Sequence, residues 1–73
     1  MFYYTVESSH WPTILEFKSK IKMSEGQCFK ILSHSNLIKN YPTRFKVIKV
    51  SDEPTFTGPI VEITEVDLNV ESF

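Results

Sequence analysis

One cysteine, two glycines and no base outside the stretch from Lys18 to Lys49 are the scarcities that shape this 73-residue chain. A lone Cys28 excludes an internal disulfide, so the stapled frameworks of small secreted domains do not apply and a reducing, cytoplasmic setting is the expectation. No run approaches the roughly 20 apolar residues that a membrane-spanning helix needs. The opening MFYYTVESSH also lacks a basic stretch followed by a long apolar one, so neither a membrane nor a secretory address is expected.

The same scarcities thin out the chemistry. Gly26 and Gly58 begin neither a GxGxxG nor a P-loop pattern, which removes the usual cradle for nucleotide phosphates. His10, Cys28 and His34 contain no close-spaced pair of the kind that zinc sites use, so no metal and no cofactor is expected. A thiolate nucleophile needs an adjacent base, and nothing in these spacings brings Cys28 to either histidine. The expectation is a protein without enzymatic activity.

What is present is enough apolar material for one fold. A hydrophobic fraction of 41%, rich in Phe, Tyr, Ile and Val, is too high for a disordered chain. A chain of this length buries only about 60% of its unfolded surface, leaving room for one core and a single domain over residues 1–73.

Alternation with period two runs through most of the sequence and predicts strands. Residues 2–8 put Phe2, Tyr4 and Val6 on one side and Tyr3, Thr5 and Glu7 on the other. From Leu15, odd positions carry Phe17, Ser19, Ile21 and Met23, and even positions carry Glu16, Lys18, Lys20 and Lys22. With a turn at Ser24, Glu25 and Gly26, residues 14–32 read as one β-hairpin that pairs Met23 with Gln27, Ile21 with Phe29 and Lys20 with Lys30. Its dry face then holds Phe17, Ile21, Met23, Phe29 and Ile31, and its wet face the lysines with Cys28 and Leu32.

Beyond the hairpin, Ser35 is placed to cap one short helical turn that Pro42 ends. Residues 43–50 are strand-forming but change phase, which a β-bulge near Val47 and Ile48 accommodates. The last strand, from Ile60, shifts phase as well, from Val61 and Ile63 to Val66, Leu68 and Val70, as a strand does in curling round a small barrel. Ser8 to Pro12 and Ser51 to Pro59 read as loops, carrying His10, Trp11 and Phe56. Five strands with one short helical turn between the third and fourth is the element order of an OB-like barrel, with an SH3-like barrel as competitor.

Charge is the most uneven property of the chain. Residues 17–50 hold eight bases against the single acid Glu25, net +7, whereas residues 51–73 hold six acids and no base, net −6. Glu7 and Glu16 account for the rest of the formal −1. Such segregation implies an anionic partner for the basic part or internal pairing of the two parts.

Two functional readings follow. In the first, the chain binds single-stranded DNA or RNA, with Lys18, Lys20, Lys22, Lys30, Arg44 and Lys46 on phosphates and Trp11 stacking on a base. Lysines two apart on a strand stand about 6 to 7 Å apart, close to the spacing of successive phosphates. In the second, it is a regulatory adaptor or inhibitor that docks on a larger protein through an edge strand or through its charged surface. Glu62, Glu65, Asp67 and Glu71 then carry the contact. A monomer, or a weak homo-oligomer that pairs basic and acidic faces, is compatible with either. In an OB-like barrel the fifth strand lies beside the third, so Glu62, Glu65 and Asp67 are also placed to neutralise Lys30 and its neighbours.

Overall fold

Alternating aromatic and β-branched residues build five strands in the computed structural model, which describes residues 1–8, 14–34, 44–55 and 60–71, the side chain of His34 excepted. They are β1 Phe2–Glu7, β2 Leu15–Ser19, β3 Cys28–His34, β4 Arg44–Ser51 and β5 Val61–Asp67. Together they form an all-β closed barrel in the cyclic order β1-β2-β5-β3-β4. The short helical turn expected after β3, with His10, Trp11 and Phe56, lies outside the described residues. Among the described residues no helix is long and apolar enough to cross a membrane.

The alternation decides which side chains enter the barrel. Tyr4, Val6, Phe17, Met23, Phe29, Ile31, Phe45, Val47 and Ile63 are buried together. Phe45 meets Phe17 edge to face, with ring centroids 5.0 Å apart at 90°, and lies 5.9 Å from Phe29 at 31°. Such pairs contribute about 0.5–1.5 kcal/mol beyond the area they remove from water, so Phe45 ties the interior of β2 to that of β3.

Both phase changes in the sequence become irregularities of the ladder. Between β1 and β4 the register passes from Thr5↔Lys49 to Val6↔Val47, which leaves Ile48 as the extra residue of a bulge, 40% exposed. Between β3 and β5 it passes from Ile31↔Val66 to Ser33↔Glu65 and then to His34↔Ile63. That slippage lets Val61, Ile63 and Val66 all pack on the core although they differ in parity.

The β2–β3 hairpin does not form. β5 stands between the two strands, pairing antiparallel with β3 and parallel with β2 through Phe17↔Val61 and Lys18↔Glu62. The expected pairs Met23–Gln27, Ile21–Phe29 and Lys20–Lys30 are therefore absent. The fifth strand does lie beside the third, as an OB-like arrangement requires.

Two buried hydroxyls explain why the chain leaves the strand after Ser19. The Ser19 Oγ donates to the Ile63 carbonyl at 2.8 Å and accepts from the Ile21 amide at 3.1 Å. The Tyr4 hydroxyl donates to the Ile21 carbonyl at 2.5 Å and accepts from the Met23 amide at 2.8 Å. Backbone groups that a hairpin would have used are thus satisfied by side chains of β1 and β2, and Met23 is still delivered to the core. The turn itself is where the sequence places it. The Gln27 amide bonds the Ser24 carbonyl at 3.1 Å, and Gly26 has φ +85°, a left-handed conformation that glycine adopts without a Cβ penalty. It packs on β4, with the Gly26 amide donating to the Val47 carbonyl at 2.8 Å and the Val47 amide to the Gln27 carbonyl at 2.9 Å.

The even face of β2 is not uniformly wet either. Glu16 is only 4% exposed, and its carboxylate accepts the Thr55 amide on both oxygens at 3.1 Å and the Thr55 hydroxyl at 2.6 Å. A buried carboxylate needs such donors, and the segment after β4 supplies them.

Candidate nucleic-acid interface

Cys28, Lys30 and Leu32 of β3 and Arg44 and Lys46 of β4, before its bulge, lie outside the buried core, so the register of this antiparallel pair sets the outer surface. Lys30 is opposite Arg44, and Cys28 is opposite Lys46. Directly opposed residues stand about 4.5–5.5 Å apart and diagonal ones about 7–8 Å, which gathers Lys30, Arg44 and Lys46 into one patch. Arg44 is exposed, and Lys30 and Lys46 are half-buried along their stems. The neighbouring strands flank the patch with acids, Glu7 of β1 opposite Lys46 and Asp67 of β5 opposite Lys30.

The chain leaving β5 completes the setting. The Asn69 amide donates to Asp67 Oδ1 at 2.9 Å, an Asx-type turn that redirects the backbone, and Gln27 Nε2 donates to the Leu68 carbonyl at 3.3 Å. Lys30, Arg44, Asp67, Asn69, Val70 and Glu71 then line one open, polar cleft of about 370 Å³. Two bases expected on nucleic acid thus share a cleft with two acids expected on a protein partner.

The remaining bases fall elsewhere. Lys18 lies between Tyr3 of β1 and Glu62 of β5 in register. Lys20 and Lys22 are exposed on the segment between β2 and the turn, where Lys20 joins Ser19, Ile21, Glu62, Ile63 and Thr64 around a smaller cleft of about 200 Å³. Lys49 follows the bulge, opposite Thr5. The lysines that one hairpin face would have aligned are divided between two sides of β5. Glu65, opposite Ser33, is exposed. Trp11, the expected stacking residue, lies outside the described residues.

Cys28 is a free, half-buried thiol on the outer face of β3. Among the described residues no group of three or more His, Cys, Asp or Glu side chains is placed to hold a metal ion. The chain matches no protein-family model, no curated protein and no solved structure.

Sequence reasoning missed Asn69 and Val70 as cleft residues and Glu16 as a buried one. For Asn69 the signal was available, since Asp-x-Asn after a strand is an Asx-turn pattern. For Glu16 none was, because its partner Thr55 is 39 positions away.

Proposed function

We propose that this barrel is a non-enzymatic module that binds single-stranded nucleic acid, DNA or RNA, with Lys30, Arg44 and Lys46 on the β3–β4 ribbon engaging the phosphate backbone. The observation that carries this reading is Lys30 directly opposite Arg44. Like charges opposed across a ladder are unfavourable, and an anion seated over them converts that cost into binding free energy. Lys46, two residues beyond Arg44 on the same strand, extends the patch over a distance comparable to successive phosphates. Lys18, Lys20 and Lys22 belong to a different surface and contribute at most to long-range attraction.

The test is fluorescence anisotropy of a labelled single-stranded oligonucleotide titrated with protein at several salt concentrations. With three phosphate contacts, log K falls against log salt with a slope of about −2, at roughly 0.7 per phosphate on a single strand. Lys30→Glu with Arg44→Glu abolishes binding, whereas Lys20→Glu with Lys22→Glu, which changes net charge equally, leaves most of it. Retained binding by a folded Lys30/Arg44 variant overturns the assignment.

The docking reading has one observation in its favour, the exposed acids Glu65 and Glu71 on and just beyond β5. Each strand of a closed barrel is paired on both sides, so that reading rests on charge and not on a free edge. Absence of oligonucleotide binding even at low salt moves the assignment to it.

A further inference from the structure

The cleft beside Lys30 and Arg44 is lined by the protein's own acids, and this bears on how an external anion enters it. Asp67 faces Lys30 across the β3–β5 ladder. Beyond it, the Asx turn at Asn69 bends residues 69–71 back along the same cleft, which brings Glu71 into the lining with Arg44. Two hydrogen bonds hold this exit segment, the Asn69 amide to Asp67 and the Gln27 side chain to the Leu68 carbonyl, and both are solvent-exposed. Leu68, Asn69 and Glu71 are themselves exposed.

A segment held by exposed hydrogen bonds and carrying an acid into a basic cleft has the character of a displaceable occupant. We propose that residues 68–71 act as a built-in competitor. Glu71, with Asp67, lines the cleft beside Lys30 and Arg44 in the free protein, opposes entry of an outside anion by its charge, and gives way to the phosphates of a bound single strand. The proposal rests on the nucleic-acid reading of that site and adds its regulation.

Competition of this kind lowers apparent affinity by the fraction of molecules whose site is covered, and it filters ligands. A single phosphate or a small anion meets a cleft that acids also line, while a chain of phosphates reaching Lys46 as well gains enough contacts to displace the segment. Anything that draws residues 68–71 away strengthens nucleic-acid binding without altering the basic residues themselves.

Two measurements test this. In the first, Glu71→Gln and the double variant Asp67→Asn/Glu71→Gln are titrated into the labelled single strand beside the parent protein and Glu53→Gln. Glu53 is an equally exposed acid beyond the other end of β4, so its variant reports the effect of net charge alone. Asn at position 67 keeps an oxygen for the Asn69 amide, so the turn survives. Because exposed charges of opposite sign interact by about 0.2–1 kcal/mol, Glu71→Gln tightens binding about 1.4- to fivefold and the double variant by up to about tenfold, with Glu53→Gln close to the parent.

In the second, backbone amide order parameters of residues 69–71 are compared between the parent and Lys30→Gln/Arg44→Gln without any oligonucleotide. The values fall in the variant if the bases hold the segment. Equal affinities for parent, Glu71→Gln and Glu53→Gln overturn the competitor while leaving the nucleic-acid reading in place. Unchanged order at residues 69–71 overturns it as well. If neither parent nor double variant binds and order still falls, the nucleic-acid reading is lost and the segment is a neutralising strut, not a competitor.

Discussion

The two basic stretches of this chain look alike in sequence and end in opposite electrostatic situations. Lys18, on β2, is set against Glu62 of β5, whereas Lys30, on β3, is set against Asp67 on one side and Arg44 on the other. The difference comes from β5, which stands between the two strands and sets Glu62 against β2 and both Glu65 and Asp67 against β3. On the far side of β2 the uncharged Tyr3 is the residue opposite Lys18, so no second base stands against this lysine. β3 has β4 on its far side, and β4 brings Arg44 and Lys46, so three bases are gathered there on adjacent strands. A surplus of bases becomes a site through the identity of the neighbouring strand, not through local density along the chain.

The interior shared by both stretches is where the largest effect lies. Phe45 sits beneath the basic ribbon and contacts Phe17, which sits beneath Lys18. Phe45→Ala removes both that contact and the one to Phe29, and costs about 3–5 kcal/mol. Net stability for a chain of this size is on the order of 4–10 kcal/mol, so the variant loses most or all of it. Urea unfolding followed by circular dichroism measures the loss. A change below about 1 kcal/mol would mean that the two halves of the barrel do not share one core.

Next in size is the device that separates the stretches. Tyr4→Phe removes the partner of both the Ile21 carbonyl and the Met23 amide, and leaving such groups unsatisfied costs about 1–3 kcal/mol. Amide exchange at Met23 accelerates more than exchange in β3. Burial raises the pKa of the Tyr4 hydroxyl above its ordinary value of 10.0, against the opposing hydrogen bond from Met23. The unfolded chain therefore ionises at this position first as pH rises. Its contribution to stability is complete below about pH 10 and declines above it, so the parent loses stability with alkaline pH more steeply than Tyr4→Phe does. Parallel pH profiles for the two proteins would remove Tyr4 as the tether.

This tether also marks where the sequence stopped being informative. Phe17, Met23, Phe29 and Ile31 are buried as the alternation predicts, because the inward face of a strand is set by its own parity whichever strand lies beside it. The Gly26 turn and the Ile48 bulge are legible for the same reason, each being a local departure from period two. The partner of β2 is not local. It depends on a tyrosine hydroxyl 17 positions before Ile21 and on Ser19, whose acceptor is 44 positions beyond it, and neither Tyr4 nor Ile63 lies within residues 14–32. Most of the candidate site was visible as charge, in Lys30, Arg44, Lys46, Asp67 and Glu71. That Lys30 and Arg44 belong with Asp67 and Glu71, and that Lys18 does not, followed from strand order alone.

The smallest expected effect sharpens the comparison most directly, because it turns one flank of β5 into a copy of the other. Glu62→Lys places a base against Lys18, as Arg44 is placed against Lys30. On a half-exposed ladder the change costs under about 1 kcal/mol, and it grows at low ionic strength because the repulsion is no longer screened. The variant remains folded and acquires a second patch of bases, formed by Lys18, Lys20 and position 62. If opposed bases are what makes the β3–β4 ribbon an anion site, single-strand affinity rises and the salt dependence steepens by about one phosphate contact. If both stay as in the parent, opposition of like charges is insufficient by itself, and the cleft geometry around Arg44 carries the recognition.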